Sequence, residues 1–274
     1  MTENRTQAQF LSSYDWTEND RSFGGYSGIT LSPDGTRFKL LSDRAHLLEG
    51  TITRHQDRII GIRSSAPIPL NTDFAVDGVD VWDTEGMAHD ALGQLYISLE
   101  TDNIILRRDL DGTWSKLPPF PEIVSLPRNK GLEALAVSGN GAVFAIPESS
   151  GNLHTPFPVY RYRDSGAWDI PVRLTRSDGF LPVGADFGPD GLLYVLERHF
   201  GGFGFSSRVR RIDADGASLQ TGEIVLTTKI RQHDNLEGLA VWQTDTGDLR
   251  LTMVSDDNFQ FFQKTEIVEY ALSK

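Results

Sequence analysis

The residues with the clearest chemical potential share one recurring position. Ser27, Glu85, Glu133, Val183 and Glu237 each stand near the start of a short, mostly apolar run. In the first four copies a turn glycine follows eight residues later, at Gly35, Gly93, Gly141 and Gly191, and the fifth copy has two extra residues before Gly247. A second apolar run follows each turn and ends in an acid: Asp43, Glu100, Glu148, Glu197 and Asp256. If the two runs form an antiparallel hairpin, the start of the first lies beside the end of the second, so both sets of oxygen-bearing groups meet at one end of the sheet. Carboxylates crowded in this way either take up protons or gather a cation. An all-oxygen donor set with relaxed geometry suits Ca²⁺ better than Mg²⁺ or Zn²⁺. Ser27, Glu85, Glu133 and Glu237 are therefore the expected metal ligands. In the fourth copy Val183 leaves that place to a backbone carbonyl, Asp186 or water. The plainer alternative is that the glutamates cap backbone N–H groups or pair with Lys130, Arg44 or Arg198.

Other polar groups should gather around the same end: Arg44, Lys130, Arg198, His199, His233, Asp257 and Asn258. A cation with Arg, Lys and His beside it can bind a phosphate or carboxylate and stabilise the charge that develops during hydrolysis. On that reading Glu100, Glu148, Glu197 and His199 are candidate catalytic groups. Arg44, Lys130, Arg198, Asp257 and Asn258 are candidate substrate contacts. For any one of them, simple neutralisation of surplus acid is the competing role. No Gly-x-Ser-x-Gly elbow occurs, because in Gly25-Tyr-Ser27-Gly28 the second glycine comes one position early. No P-loop or dinucleotide fingerprint is present either.

The elements that must position these groups repeat with them. The recurring position returns every 48 to 58 residues. Asp-Gly or Asn-Gly at three of the first four hairpin junctions, Asp34-Gly35, Asn140-Gly141 and Asp190-Gly191, supplies the positive φ of a tight turn. Third strands follow at Ile104–Leu110, Val159–Arg163 and Arg208–Asp213, with weaker fourth strands at Arg58–Ile62, Val172–Thr175 and Glu223–Thr228. Four-stranded antiparallel units at this period predict an all-β fold, a β-propeller forming a single domain over residues 1–274. A β-sandwich does not explain such a repeat. Five blades are counted. A sixth would have to occupy the divergent stretch from Asp73 to Trp82. The last unit has only three clear strands, so Gln9–Trp16 is expected to complete it, close the ring and remove an exposed edge.

Bulk properties limit the partners. The chain has 274 residues, a net charge of −12 and no cysteine. The charge argues against nucleic acid, whose binding needs clustered cations, and favours a small anionic or ester substrate reached through a cation. The absence of cysteine excludes disulfides and thiol chemistry. No apolar run of about 18 residues suggests a membrane span. The segment from Met1 to Arg5 lacks a signal-peptide pattern, which points to a cytoplasmic chain or to a form whose leader is gone.

Several segments carry a resemblance. Gly24-Gly-Tyr-Ser-Gly-Ile29 with Leu41-Ser-Asp-Arg44, Asp83-Thr-Glu-Gly-Met87, Lys130-Gly-Leu-Glu-Ala134, and Asp234-Asn-Leu-Glu-Gly-Leu-Ala-Val241 with Ser255-Asp-Asp-Asn-Phe259 resemble the phytase-like propeller family, described as having esterase-like activity of phytase. The likeness runs from about Phe23 to Leu272. It implies a bacterial, exported (periplasmic or secreted) protein that hydrolyses a phosphate ester or another ester. More distantly, the Ser, Glu, Glu and Glu ring resembles that of the calcium-activated nucleotidases, five-bladed propellers with a central Ca²⁺. That likeness implies Ser27, Glu85, Glu133 and Glu237 as ion ligands, and Val183 departs from it. Two other readings stand beside the hydrolase: a non-catalytic propeller that binds a ligand or protein around a structural Ca²⁺, and a lactonase-type esterase.

Overall fold

The computed structural model describes residues 7–70, 76, 78–79, 81–127, 130–163, 165–216 and 219–272. Each repeat folds into its own antiparallel sheet, and five sheets stand around an axis as a five-bladed β-propeller. The innermost strands are Tyr26–Leu31, Thr84–His89, Leu132–Val137, Leu181–Phe187 and Asn235–Gln243. Each pairs with the strand that follows it, and neighbouring innermost strands touch all the way round, the fifth against the first. The turn glycines Gly35, Gly93, Gly141, Gly191 and Gly247 all adopt positive φ, between 68° and 92°.

Burial follows position in the blade. All six residues of Leu132–Val137 are buried, whereas the outer strand Arg58–Ser64 buries only Ile59. The core is not central. It is divided into five apolar wedges, each between adjacent blades: Leu41 and Leu70 of blade one pack with Met87 and Ile97 of blade two, and Val183 and Leu196 of blade four with Leu236 and Met253 of blade five. The axis itself is left to polar groups.

Ala8–Asp15 pairs antiparallel with Glu266–Leu272 and supplies the outer strand of blade five, so the ring closes as expected. Of the stretch considered for a sixth blade, residues 73–75, 77 and 80 lie outside the described residues, and the described remainder of it holds no strand. One fourth strand was not legible in sequence, the three-residue Trp114–Lys116 of blade two.

Candidate metal and ester site

The recurring position acquires its direction from a β-bulge. In every innermost hairpin the register shifts at this residue: at Ser27, at Glu85, at Glu133, at Val183 and at Glu237. A bulge adds one residue to one strand and re-aims its side chain. Five bulges at equivalent places therefore turn five side chains in the same sense with respect to the ring.

The residue after the bulge is glycine in four blades, and two of these show why. A Cβ on Gly184 would lie 2.2 Å from the Glu237 carbonyl oxygen, and one on Gly86 would lie 2.7 Å from that of Glu133. Each glycine thus lets the next blade's bulge come close enough to bring successive carboxylates together. Because the obstructing atom is backbone, Gly184→Ala should destabilise the ring by about 3 kcal/mol, read as a lowered urea midpoint at unchanged m value.

The acids that end the second strands stand beside the bulges. Asp43, Glu100 and Glu148 pair through their backbone N–H with Gly25, Asp83 and Gly131, and Asp256 pairs with Asn235. In blade four the equivalent partner of Leu181 is Arg198, not Glu197. This corrects the expectation that Glu197 is a catalytic acid at the mouth. Neighbouring residues of a strand point to opposite faces. Glu197 therefore turns into blade four, fully buried, where its carboxylate accepts from Arg208 Nε at 2.8 Å and Arg210 Nε at 2.7 Å, and pairs with Arg210 Nη2 as well.

Arg198 takes the vacated place in the ring. Its guanidinium binds Glu237 Oε1, donates to Asn235 Oδ1 at 2.9 Å and lies 3.3 Å from Glu148 Oε1. Burial works against its charge, but Glu237, Glu133 and Glu148 together hold it above the ordinary arginine range. The blade-four and blade-five side of the ring is thereby compensated from within.

The side formed by blades two and three is not. Asp83, Glu85 and Glu100 bring one oxygen each within 4.8 Å of one another, and Glu100, Glu133 and Glu148 do the same. Among the described residues Arg198 is the cation that ion-pairs with these acids, and of the five it takes Glu148. Burial first, and then the neighbouring carboxylates, push Glu85 and Glu133 well above the usual carboxylate range. Burial likewise raises Glu100, pushes Asp256 up to about 8 and Asp43 up to about 6.

These residues fit a hard cation. The donors are all oxygen, they are crowded without matching positive charge, and Asp43 Oδ1 is buried with no hydrogen-bond partner. The geometry shifts the centre of such a site away from the expected ring. Glu237 is already engaged by Arg198 and Asn235, and the Ser27 hydroxyl donates to the Thr84 carbonyl at 2.9 Å. Glu237 belongs to neither of the two carboxylate clusters. Asp83, which sequence reasoning did not single out, belongs to one; its signal was its place two residues before Glu85 in the repeated motif.

The remaining expected contacts divide. Lys130 and Arg44 are exposed beside the ring, the latter with its guanidinium 3.4 Å from the centre of the Phe259 ring. Asp257 is not available to a substrate as expected: Oδ1 accepts from the N–H groups of Gly25 and Phe259, and Oδ2 from the Thr265 hydroxyl. It fastens the blade-five loop. Asn258 is exposed, and its N–H donates to Asp256 Oδ1 at 2.6 Å. His199 packs on Phe180 with ring centres 5.5 Å apart, and among the described residues it makes no contact with a ring carboxylate. His233 is buried against Tyr270, its Nε2 2.7 Å from the phenol oxygen.

A pH dependence follows from the raised acids. A carboxyl whose folded-state pKa exceeds its unfolded value binds more protons when folded, so stability falls as pH rises through the window between the two. With divalent ions chelated, the melting temperature should therefore drop between about pH 5 and about pH 8, and excess Ca²⁺ should restore it at the upper end by binding the folded state alone. Thermal melts at the two pH values, with chelator and with Ca²⁺, check this.

The sequence matches the family described as phytase-like, esterase-like activity of phytase, over residues 21–259. The chain belongs to this family. No curated protein matches it. Among solved structures, this phytase-like propeller is similar to the PQQ-bound aldose sugar dehydrogenase of Streptomyces coelicolor, at 13% identity and a TM-score of 0.52 over 98% of this chain and 100% of that one. It is also similar to a virginiamycin B lyase of Staphylococcus aureus, at 15% identity and 0.43 over 96% and 73%. The likeness to a gluconolactonase of Xanthomonas campestris is 15% and 0.45 over 90% and 86%. At these identities the likeness concerns the fold alone.

Proposed function

We propose that this phytase-like propeller is a calcium-dependent hydrolase of phosphate esters that works at the acidic mouth of its channel. The observation that carries the reading is the division of the ring: buried and half-buried carboxylates crowded on blades two and three, of which Glu148 alone meets a cation among the described residues, and the guanidinium of Arg198 that blade four holds beside them. Asp83, Glu85, Glu133 and Glu148 would hold the ion, with Glu100, which both clusters share, beside it. Bound there, Ca²⁺ would neutralise phosphate charge and polarise a phosphoryl oxygen.

The chain's own groups supply the rest. Arg198, kept charged by its neighbours and only one-fifth exposed, would hold a second phosphate oxygen through its planar fork. Arg44 and Lys130, exposed beside the mouth, would draw the anion in despite the net charge of −12. Glu100, raised by burial and accepting from the Gly131 N–H at 3.1 Å, would take a proton from the attacking water. The test is phosphate release from a panel of phosphomonoesters and phosphodiesters, with aryl acetates and lactones in parallel. Turnover should be confined to phosphate esters and should vanish in chelator. Turnover of acetate or lactone alone would favour the esterase reading. If no ester reacts while Ca²⁺ still raises the melting temperature, the ion is structural and the propeller is a binding module.

A further inference from the structure

Beside the mouth, the hairpin tip of blade four and the loop after blade five's second strand enclose a groove of about 720 Å³. Its apolar lining is aromatic: Phe200, Phe203 and Phe205 from the hairpin and Phe262 from the loop. Phe203 is 88% exposed and Phe262 is 70% exposed, in a chain whose other large side chains mostly find cover between blades. Aromatic rings left in water at the rim of a cavity of this size are the usual lining of a small-molecule site.

Two contacts join the groove to the ring. Phe205 packs on Phe200 with centres 5.1 Å apart and also meets the Arg198 guanidinium, 5.8 Å from its centre. Arg198 is the residue that binds Glu237 and Glu148. On the opposite wall Asn258 lines the groove and donates its N–H to Asp256 Oδ1. Asn258 and Phe259 both adopt left-handed backbone, φ 48° and 51°, a conformation that non-glycine residues hold only when their surroundings impose it. Here Asp256 and Asp257 impose it through the two N–H groups. The wall is thus fastened to the same carboxylates that frame the mouth.

We propose that this groove is the subsite for an aromatic arm of the substrate, so that the natural ester carries an aryl-sized apolar group next to its phosphate. The inference rests on the mouth being the phosphate site and adds the chemistry of the group attached to it.

The experiment is calorimetric binding of two inert phosphonates, phenylphosphonate and methylphosphonate, in Ca²⁺ buffer, to wild type, to Phe203→Ala/Phe262→Ala and to Glu133→Gln. Both phenylalanines are surface residues, so the double variant should melt as wild type does. Wild type should bind phenylphosphonate about tenfold more tightly than methylphosphonate. The double variant should bring that ratio close to one while leaving methylphosphonate unchanged, and Glu133→Gln should weaken both ligands alike. Equal affinities in wild type, or a ratio the double variant does not move, would overturn the proposal. So would a wild-type dimer in sedimentation that the double variant dissolves, because the rings would then cover a second copy. If phenylphosphonate alone binds and depends on Phe203 and Phe262, the groove stands and the phosphate role of the mouth falls. If neither binds, the groove falls and phosphate release alone judges the mouth.

Discussion

Replacing Glu133 by glutamine should lower calcium-dependent phosphate release at least about a hundredfold and weaken Ca²⁺ binding in parallel, while the protein still folds. Glu133 is buried, pushed well above the usual range by desolvation and by its fellow carboxylates, and shares a cluster with Glu100 and Glu148. Glutamine keeps the shape and removes the charge. In the metal-free protein it should therefore remove one source of repulsion, so that the melting temperature falls less as pH rises than it does in the wild type. A variant that shows this flatter pH dependence without metal and loses the calcium response separates an ion ligand from a structural glutamate, which would only lose stability. Steady-state phosphate release, calcium titration calorimetry and melts in chelator give the three readouts. Full activity in the variant would remove Glu133 from the site.

The opposite pattern is expected one blade further on. Glu197→Gln should cost about 3–5 kcal/mol, because it leaves the buried guanidiniums of Arg208 and Arg210 without the carboxylate that holds both. Arg210 feels this most: burial already pulls it below its ordinary range, and its hydrogen bond to Glu197 opposes that pull. Arg208 keeps a second contact with Asp178 at 3.1 Å and stacks on Phe180. Turnover per folded molecule should be unchanged at low temperature, since Glu197 faces away from the mouth. Urea titration with an activity measurement checks both halves, and a loss of kcat at full folding would restore a catalytic role.

The exchange of Glu197 for Arg198 shows where sequence reasoning holds and where it slips. The fold was legible because bulge residue, turn glycine and second strand recur together, and only a ring of similar sheets accommodates that. The fourth copy has drifted, and its second run reaches an acid after five residues, at Leu193–Glu197, where Phe38–Asp43, Leu95–Glu100 and Val143–Glu148 need six. Counting six would have found Arg198. A slip of one residue on a strand reverses the face, so the acid chosen was the one pointing inward to the blade. The division of the ring was not legible at all. It depends on how far a guanidinium reaches across the axis to Glu148 and Glu237, and no spacing encodes that. Asp257 misled for a similar reason. Its three bonds come from Gly25, Phe259 and Thr265, residues far apart in the chain or hidden in a loop, so its carboxylate looked open when it was already occupied.

The pairing of Ala8 with Leu272 also constrains how the molecule comes into being. The strand Ala8–Asp15 is made before blade one and cannot pair with Glu266–Leu272 until blade five has been made. Until then blade five lacks its outer strand. Assembly of the ring should accordingly end in one late, slow step governed by the longest loop closure among the blades, and the same seam, opened first by force or heat, is where the circle would come undone.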